Sequence, residues 1–358
     1  MQQRTHRPLT ILTIALTLAL SAGCGSVTDP DSADPDAQAS PDVDAGDTPD
    51  GGQDAAPMCN APTPGTFNRQ VMVDGVERDV IVYIPANVQA QAPAVFMFHG
   101  SSGTGERFYN ISRWREKADE IGLIAVFPTA LVHCFYDTKD ERIKTSTKWS
   151  GGKFGSEHLL CTPEQLANIS PANRALADHP EADDIGFVNA MIDMLISDDC
   201  VDANRVYLAG FSNGGSMSGR AGLELSHRIA AFAMSSGAPA VDTVASRPIS
   251  AMYNHGALES GLPLDETAWN NPAYQGLLAG TAEKLGLTSD HNHEPMVIAG
   301  VATSWLNFTT TTGVGGNSYH AVIIDGLAHN YANGSNHPIT MANVHWAFFE
   351  MHTLDEHQ

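Results

Sequence analysis

The sequence predicts an α/β fold with a mostly parallel central sheet and helices on both faces. Three observations carry this expectation. Short apolar runs alternate with amphipathic stretches from about residue 78 onward, and strands covered on both faces read as such runs. One run, 206–209, leads directly into a Gly-x-Ser-x-Gly turn and then into a stretch of small residues suited to a helix packed close on a sheet. The part able to fold is roughly 300 residues long, enough to bury one large core.

The chain is 358 residues long with a formal net charge of −22. Residues 1–23 read as a targeting segment. Arg4 and Arg7 form a basic start, and 9–20 is an apolar run too short to span a bilayer. LSAGC at 20–24 resembles a bacterial lipobox, with Ser21 where leucine is more usual. Lipidation of Cys24 would anchor the mature chain in the cell envelope, and a simple secretory signal is the alternative. Residues 24–57 hold nine aspartates among proline, glycine, alanine and serine. That composition self-repels and reads as a disordered tether. The remaining domain, 58–358, stays acidic, which excludes nucleic acid and anionic membrane surfaces as partners. The expected protein is a monomer that meets a membrane only through its anchor.

Within the domain, strands are expected at 78–85, 93–100 and 123–128, and a helix at 106–121 with Phe108, Ile111, Ala118 and Ile121 on one face. Periodicity is lost over 131–180, which reads as a long functional loop. Asp183 or Asp184 caps a helix that runs to Ser197. The 206–209 strand follows, then strands at 228–237, 248–256 and 320–325. Thr340 starts a final helix that buries Val344, Phe348 and Met351.

With Cys24 set aside, four cysteines remain in a chain expected to be exported. Two disulfides then have three possible connectivities. The expected pairs are Cys59–Cys200, tying the domain's start to the junction before the 206–209 strand, and Cys134–Cys161, stapling the long loop. No zinc-ligand spacing is present, and DHNHE at 290–294 reads as a polar loop.

The turn GFSNG at 210–214 carries the chemistry. A tight strand-to-helix turn holds Ser212 in a strained backbone conformation, and flanking glycines avoid clashes. The Asn213 N–H then points at a substrate oxygen. HGSSG at 99–103 follows another strand, where a second oxyanion donor belongs, at Ser101 or Ser102. A serine hydroxyl needs a histidine to take its proton and an acid to hold that histidine. In this order along the chain, His329 after the last strand is the candidate base, ahead of His337, with His320 and His345 structural. Glu259 is the candidate acid and Asp265 its rival. Trp149 with Phe154 nearby, and His99, are candidate substrate-binding residues.

FMFHGSSG, DDIGFVNAMID, CVDANRVYLAGFSNGGSMS, NHGALESGLPL and DGLAHNYANG together resemble the secreted α/β-hydrolase esterases that include polyhydroxybutyrate depolymerases, feruloyl esterases and acetyl xylan esterases. The similarity spans about 65–350. It implies the α/β-hydrolase fold and a cofactor-free serine esterase acting through an acyl-enzyme. Its acid segment falls on 255–263 and its histidine segment on 326–329, which puts Glu259 and His329 in those roles. Glu259 departs from the usual aspartate and Ala328 from a frequent glycine. The resemblance also favours Cys59 with Cys200. Hydroxyalkanoate esters, or feruloyl and acetyl esters of polysaccharides, are the implied substrates. A peptidase of the same superfamily and a non-catalytic binding lipoprotein are the rival readings.

Overall fold

A computed structural model describes residues 59–138, 140–150, 158–179, 181–309 and 316–357. The expected signal peptide, Cys24, the tether and Phe154 lie outside the described residues.

The elements follow in order as β1 (Gly65–Val73), β2 (Val76–Ile84), β3 (Ala92–Phe98), α1 (Gly105–Ile111), α2 (Trp114–Ile121), β4 (Ile124–Pro128), β5 (Val132–Asp137), β6 (Arg142–Thr147) and β7 (His158–Leu160). Then come α3 (Pro163–Asn168), α4 (Pro171–Ala177), α5 (Asp184–Asp199), β8 (Val201–Phe211), α6 (Asn213–Glu224), β9 (Ala231–Ser235), β10 (Ser250–Gly256) and α7 (Ala257–Ser260). The chain closes with α8 (Pro272–Lys284), β11 (His291–Ile298), β12 (Val301–Thr309), β13 (Ser318–Ile324) and α9 (Met341–Phe349).

The main sheet has the order β1-β2-β4-β3-β8-β9-β10-β13-β12-β11. Its centre, β4-β3-β8-β9-β10-β13, is parallel throughout, and both edges are antiparallel. Every residue of β3, β4 and β9 is buried, as their apolar runs require. Side-chain alternation divides the core in two. Ala94, Phe96, Phe98, Val206 and Leu208 pack on the face covered by α5, α6 and α8. Val95, Met97, Tyr207 and Ala209 pack on the face covered by α1, α2 and α9. This is the α/β-hydrolase fold. Strand order reverses between β3 and β8, so the ends of both strands open on one crevice, where such sheets place their sites. HGSSG leaves β3 and the serine turn leaves β8 at that crevice.

Both expected disulfides form, Cys59–Cys200 with Cα atoms 5.7 Å apart and Cys134–Cys161 with Cα atoms 5.4 Å apart. Asp183 caps α5 by accepting the Gly186 N–H at 2.8 Å.

Five local expectations are corrected. The helix at 106–121 is two helices, because Arg113 adopts φ +66° and breaks the backbone ladder between them. Residues 131–180 hold a three-stranded sheet, β6-β5-β7, and two capped helices rather than a plain loop. DHNHE lies largely on β11, paired along its length with β12. Strands β1, β11 and β12 add to the expected ones; β1 and β11 are the sheet edges, where half-exposed strands lack the solid apolar run of central ones. Met351 falls past the end of α9 and is exposed, while Phe348 is buried as expected. Thr340 holds the N-cap position of that helix without a side-chain bond.

Candidate active site

Ser212 stands between β8 and α6 with φ +54° and ψ −121°, a conformation an L-residue adopts only under constraint. The constraint is visible. Its N–H donates to Ser235 O at 2.7 Å, which pins the turn to the end of β9. A Cβ on Gly210 would come within 2.0 Å of Gly214 O, and one on Gly214 within 2.2 Å of Phe98 O. The Gly-x-Ser-x-Gly spacing is therefore a steric requirement of the turn.

His329 comes from the loop after β13. Its Nε2 lies 3.0 Å from Ser212 Oγ, and its Nδ1 lies 2.6 Å from Glu259 Oε2. Glu259 is on α7, directly after β10. Its other oxygen accepts from Ser236 Oγ at 2.5 Å and from the Gly256 N–H at 3.0 Å. The β10 and β13 loops meet closely. A Cβ on Gly256 would sit 2.2 Å from Leu327 O, and Leu258 N–H donates to that same carbonyl at 3.0 Å. Three residues far apart in sequence, Ser212, Glu259 and His329, are thus joined by two consecutive hydrogen bonds.

The electrostatics follow from these contacts. The Glu259 side chain is only 7 % exposed. That burial opposes ionisation, but the bonds from His329, Ser236 and the Gly256 N–H outweigh it and hold the carboxyl at about 2. The hydrogen bond to Glu259 raises His329 above the ordinary imidazole value, against a smaller opposing effect of burial. The His329 side chain is 54 % exposed, so its ring reaches the cleft. An ionised, buried acid facing one nitrogen and a hydroxyl facing the other is an arrangement able to draw a proton from Ser212.

A cleft of about 470 Å³ opens in front of Ser212, lined in part by Ser101, Arg107, Phe108, Phe211, His329 and Tyr331. The two N–H groups on HGSSG differ in their engagement. Ser102 N–H donates to Thr147 O at 2.9 Å, so it is already used. Ser101 lines the cleft, and among the described residues its N–H donates to no protein acceptor. Asn213 N–H opens the first turn of α6 beside Ser212.

Two further candidates are corrected. Trp149 is 1 % exposed and packs edge-on against Phe98, with its Nε1–H donating to His99 O at 2.9 Å. His99 is fully buried, with Nδ1 2.7 Å from Gly100 O and Nε2 accepting the Ala130 N–H at 3.0 Å. Burial drives His99 down to about 4. Neither side chain lines the cleft; both brace the turns beneath it. Asp265 accepts from Thr267 N–H at 2.9 Å at the start of a 3-10 turn and does not join the site. His337 bonds to Asp325 O, His320 to Asn307, and His345 to Asn254.

Ser236, Phe211 and His255 were not anticipated. Ser236 lies in the SSG that ends the 228–237 segment, at the same sheet edge as the acid, and a short polar residue there was the available signal. The Phe211 ring lies 5.0 Å from the His329 ring, tilted by 41°. His255 Nδ1 lies 3.8 Å from Glu259 Oε2, and desolvation lowers its pKa despite that neighbour.

No protein-family model matches the chain. In sequence it is 25 % identical over 192 residues to a bifunctional acetylxylan esterase/xylanase of Neocallimastix patriciarum, covering 53 % of this chain and 23 % of that protein. It is 49 % identical over 55 residues to feruloyl esterase B of Piromyces equi, covering 15 % of this chain and 10 % of that protein. The matched part is thus less than a quarter of either relative's length. Solved structures with partial likeness include an acetyl xylan esterase from Aspergillus awamori, at TM-score 0.47 and 14 % identity over 79 % of this chain and 99 % of that one. Another is an S-formylglutathione hydrolase from Agrobacterium tumefaciens, at TM-score 0.47 and 15 % identity over 80 % of this chain and 94 % of that one. The chain is an α/β-hydrolase-fold protein whose sequence is similar to acetylxylan and feruloyl esterases.

Proposed function

We propose that the protein is a serine carboxylic-ester hydrolase. The observation that carries this reading is the Ser212–His329–Glu259 relay, with Ser212 Oγ 3.0 Å from His329 Nε2. Ser212 Oγ attacks the ester carbonyl carbon while its proton passes to His329 Nε2. Glu259 holds the ring through Nδ1–H and stabilises the imidazolium without taking the proton. The carbonyl oxygen becomes an oxyanion that accepts from the Asn213 and Ser101 N–H groups. As the intermediate collapses, the C–O bond to the leaving alcohol breaks and His329 protonates that alcohol. Water gives a proton to His329 as it attacks the acyl carbon; the bond from that carbon to Ser212 Oγ then breaks, His329 returns the proton to Oγ, and the acid leaves.

The relatives' names favour acetyl or feruloyl esters of plant polysaccharide as substrates, and hydroxyalkanoate esters are the other class in this reading. The protein acts as a monomer, exported and held by lipid on Cys24 at the bacterial cell envelope, with 24–57 as its tether. The basic start, the apolar run and the LSAGC segment support that part, and the two disulfides fit an oxidising compartment.

The test is active-site labelling with a fluorophosphonate. A single adduct on Ser212, absent in Ser212→Ala, together with turnover of p-nitrophenyl acetate or methyl ferulate, is the expected result. An unlabelled, inactive but folded wild-type protein would refute the reading.

A further inference from the structure

The cleft in front of Ser212 has apolar walls at Phe108, Ile111 and Phe211, and its lining includes one guanidinium, that of Arg107. Arg107 is exposed on α1, six positions after Ser101. Its guanidinium forms no ion pair, hydrogen bond or ring contact among the described residues, and this sets it apart. The other arginines there each have a carboxylate, carbonyl or ring partner, as Arg69 has in Asp199, Arg113 in Glu116 and Arg220 in Glu224.

The surroundings leave that charge uncompensated. Among the described residues, no carboxylate lines the cleft. Glu106, the adjacent residue, lines a different cleft with Arg69 and Tyr109. The Glu259 carboxylate is engaged by His329, Ser236 and the Gly256 N–H. In a chain of net charge −22, a solvated surface would supply partners in abundance. An arginine presents a planar fork of donors matched to a carboxylate, and apolar walls weaken the solvent screening of such a pair.

We propose that Arg107 selects ester substrates that carry a free carboxylate. The assignment rests on the esterase reading above and names the substrate class of that same site. The carboxylate takes no part in bond making. It anchors one end of the substrate at Arg107 while the ester carbonyl meets Ser212.

Matched ester pairs test this. One pair places the charge on the alcohol side, 4-acetoxybenzoate against 4-acetoxybenzamide. The other places it on the acyl side, monomethyl adipate against its primary amide, methyl adipamate. Each rate is normalised to hydroxide-catalysed hydrolysis of the same ester. The wild-type protein is expected to favour the carboxylate member of at least one pair by roughly tenfold in kcat/KM, about 1.4 kcal/mol. Most of the preference should lie in KM and shrink as ionic strength rises. Arg107→Gln should bring the ratio close to one, and Arg107→Lys should restore part of it. Equal rates within both pairs, or a preference that survives Arg107→Gln, would overturn the assignment and leave the esterase reading standing. If the wild-type protein hydrolysed no member of either pair and took no fluorophosphonate, the esterase reading would fail and carry this assignment with it.

Discussion

Asn213 holds the backbone of Trp149 from both sides. The Trp149 N–H donates to Asn213 Oδ1 at 2.8 Å, and Asn213 Nδ2–H donates to Trp149 O at 2.9 Å. The residue after the candidate nucleophile therefore has two tasks. Its main-chain N–H is the proposed oxyanion donor, and its side chain replaces a strand partner for the segment that leaves β6.

Asn213→Ala keeps the main-chain N–H and removes the clamp. Turnover should fall by about tenfold, since misplacement of oxyanion donors is costly. Limited proteolysis should cut near residue 150 faster than in the wild-type protein. Unchanged cleavage kinetics would show that the disulfide and the buried indole hold this segment alone.

Glu259→Gln removes the charge that raises His329. Turnover should drop by roughly 1,000- to 10,000-fold, the usual scale when the acid of such a relay is neutralised. The pH profile carries the second signature. In the wild-type protein His329 must be neutral to act as base, so kcat/KM should rise with pH through an apparent pKa above the ordinary 6.5. In the variant that acid limb should move downward. A limb that stayed in place would mean the titrating group is another one.

The same pair links stability to pH. The Glu259 carboxyl is depressed to about 2, so its stabilising share is complete above the unfolded value near 4.5 and is lost as pH falls towards 2. His329 is raised, so its share is complete below about 6.5 and fades as pH climbs through the raised value. Urea titrations between pH 2 and 9 on wild type and Glu259→Gln should differ most on the acid side of neutrality. Parallel curves over the whole range would refute the coupling.

Asp184 deserves a stability test because it holds two buried groups. Its Oδ1 accepts from Arg78 Nη2–H at 2.6 Å and its Oδ2 from the Ser150 N–H at 2.7 Å. Both Arg78 and Asp184 are buried, and the Arg78 guanidinium lies 4.1 Å from the Phe187 ring. Asp184→Asn strands that cation away from water, and breaking a buried pair in this way costs about 3–5 kcal/mol. Urea unfolding should show a lower midpoint with little change in slope. A loss under about 1 kcal/mol would mean that water reaches Arg78 in the folded state.

Cys134–Cys161 closes a short loop over the small sheet, with 27 positions between its ends. Replacing both cysteines by serine should cost roughly 3–4 kcal/mol on the chain-entropy account. The thermal midpoint should fall while the Ser212–His329 contact is retained, so residual activity at low temperature is the control.

The amino-acid order by itself determined the parallel core and the serine turn; it offered His329 as base, Glu259 as acid with Asp265 as its rival, and the two cysteine pairs as one of three connectivities. The core and the turn rest on short-range constraints: solid apolar runs for strands buried on two faces, and glycines where a Cβ would strike a backbone atom. Edge strands were less legible, because β1 and β11 are half-exposed and carry no solid apolar run. The Asp74–Gly75 pair, both at positive φ between β1 and β2, was a hairpin signal that went unused. Only the tertiary structure could show that the Ser102 N–H is engaged and the Ser101 N–H is not, because this depends on a carbonyl from β6, 45 positions away. It alone moved Trp149 and His99 from the cleft wall to the packing beneath it, and it brought Arg107 to the cleft lining with no carboxylate partner. Burial and charge pairing are settled by neighbours distant in the chain, and no local pattern records who those neighbours are.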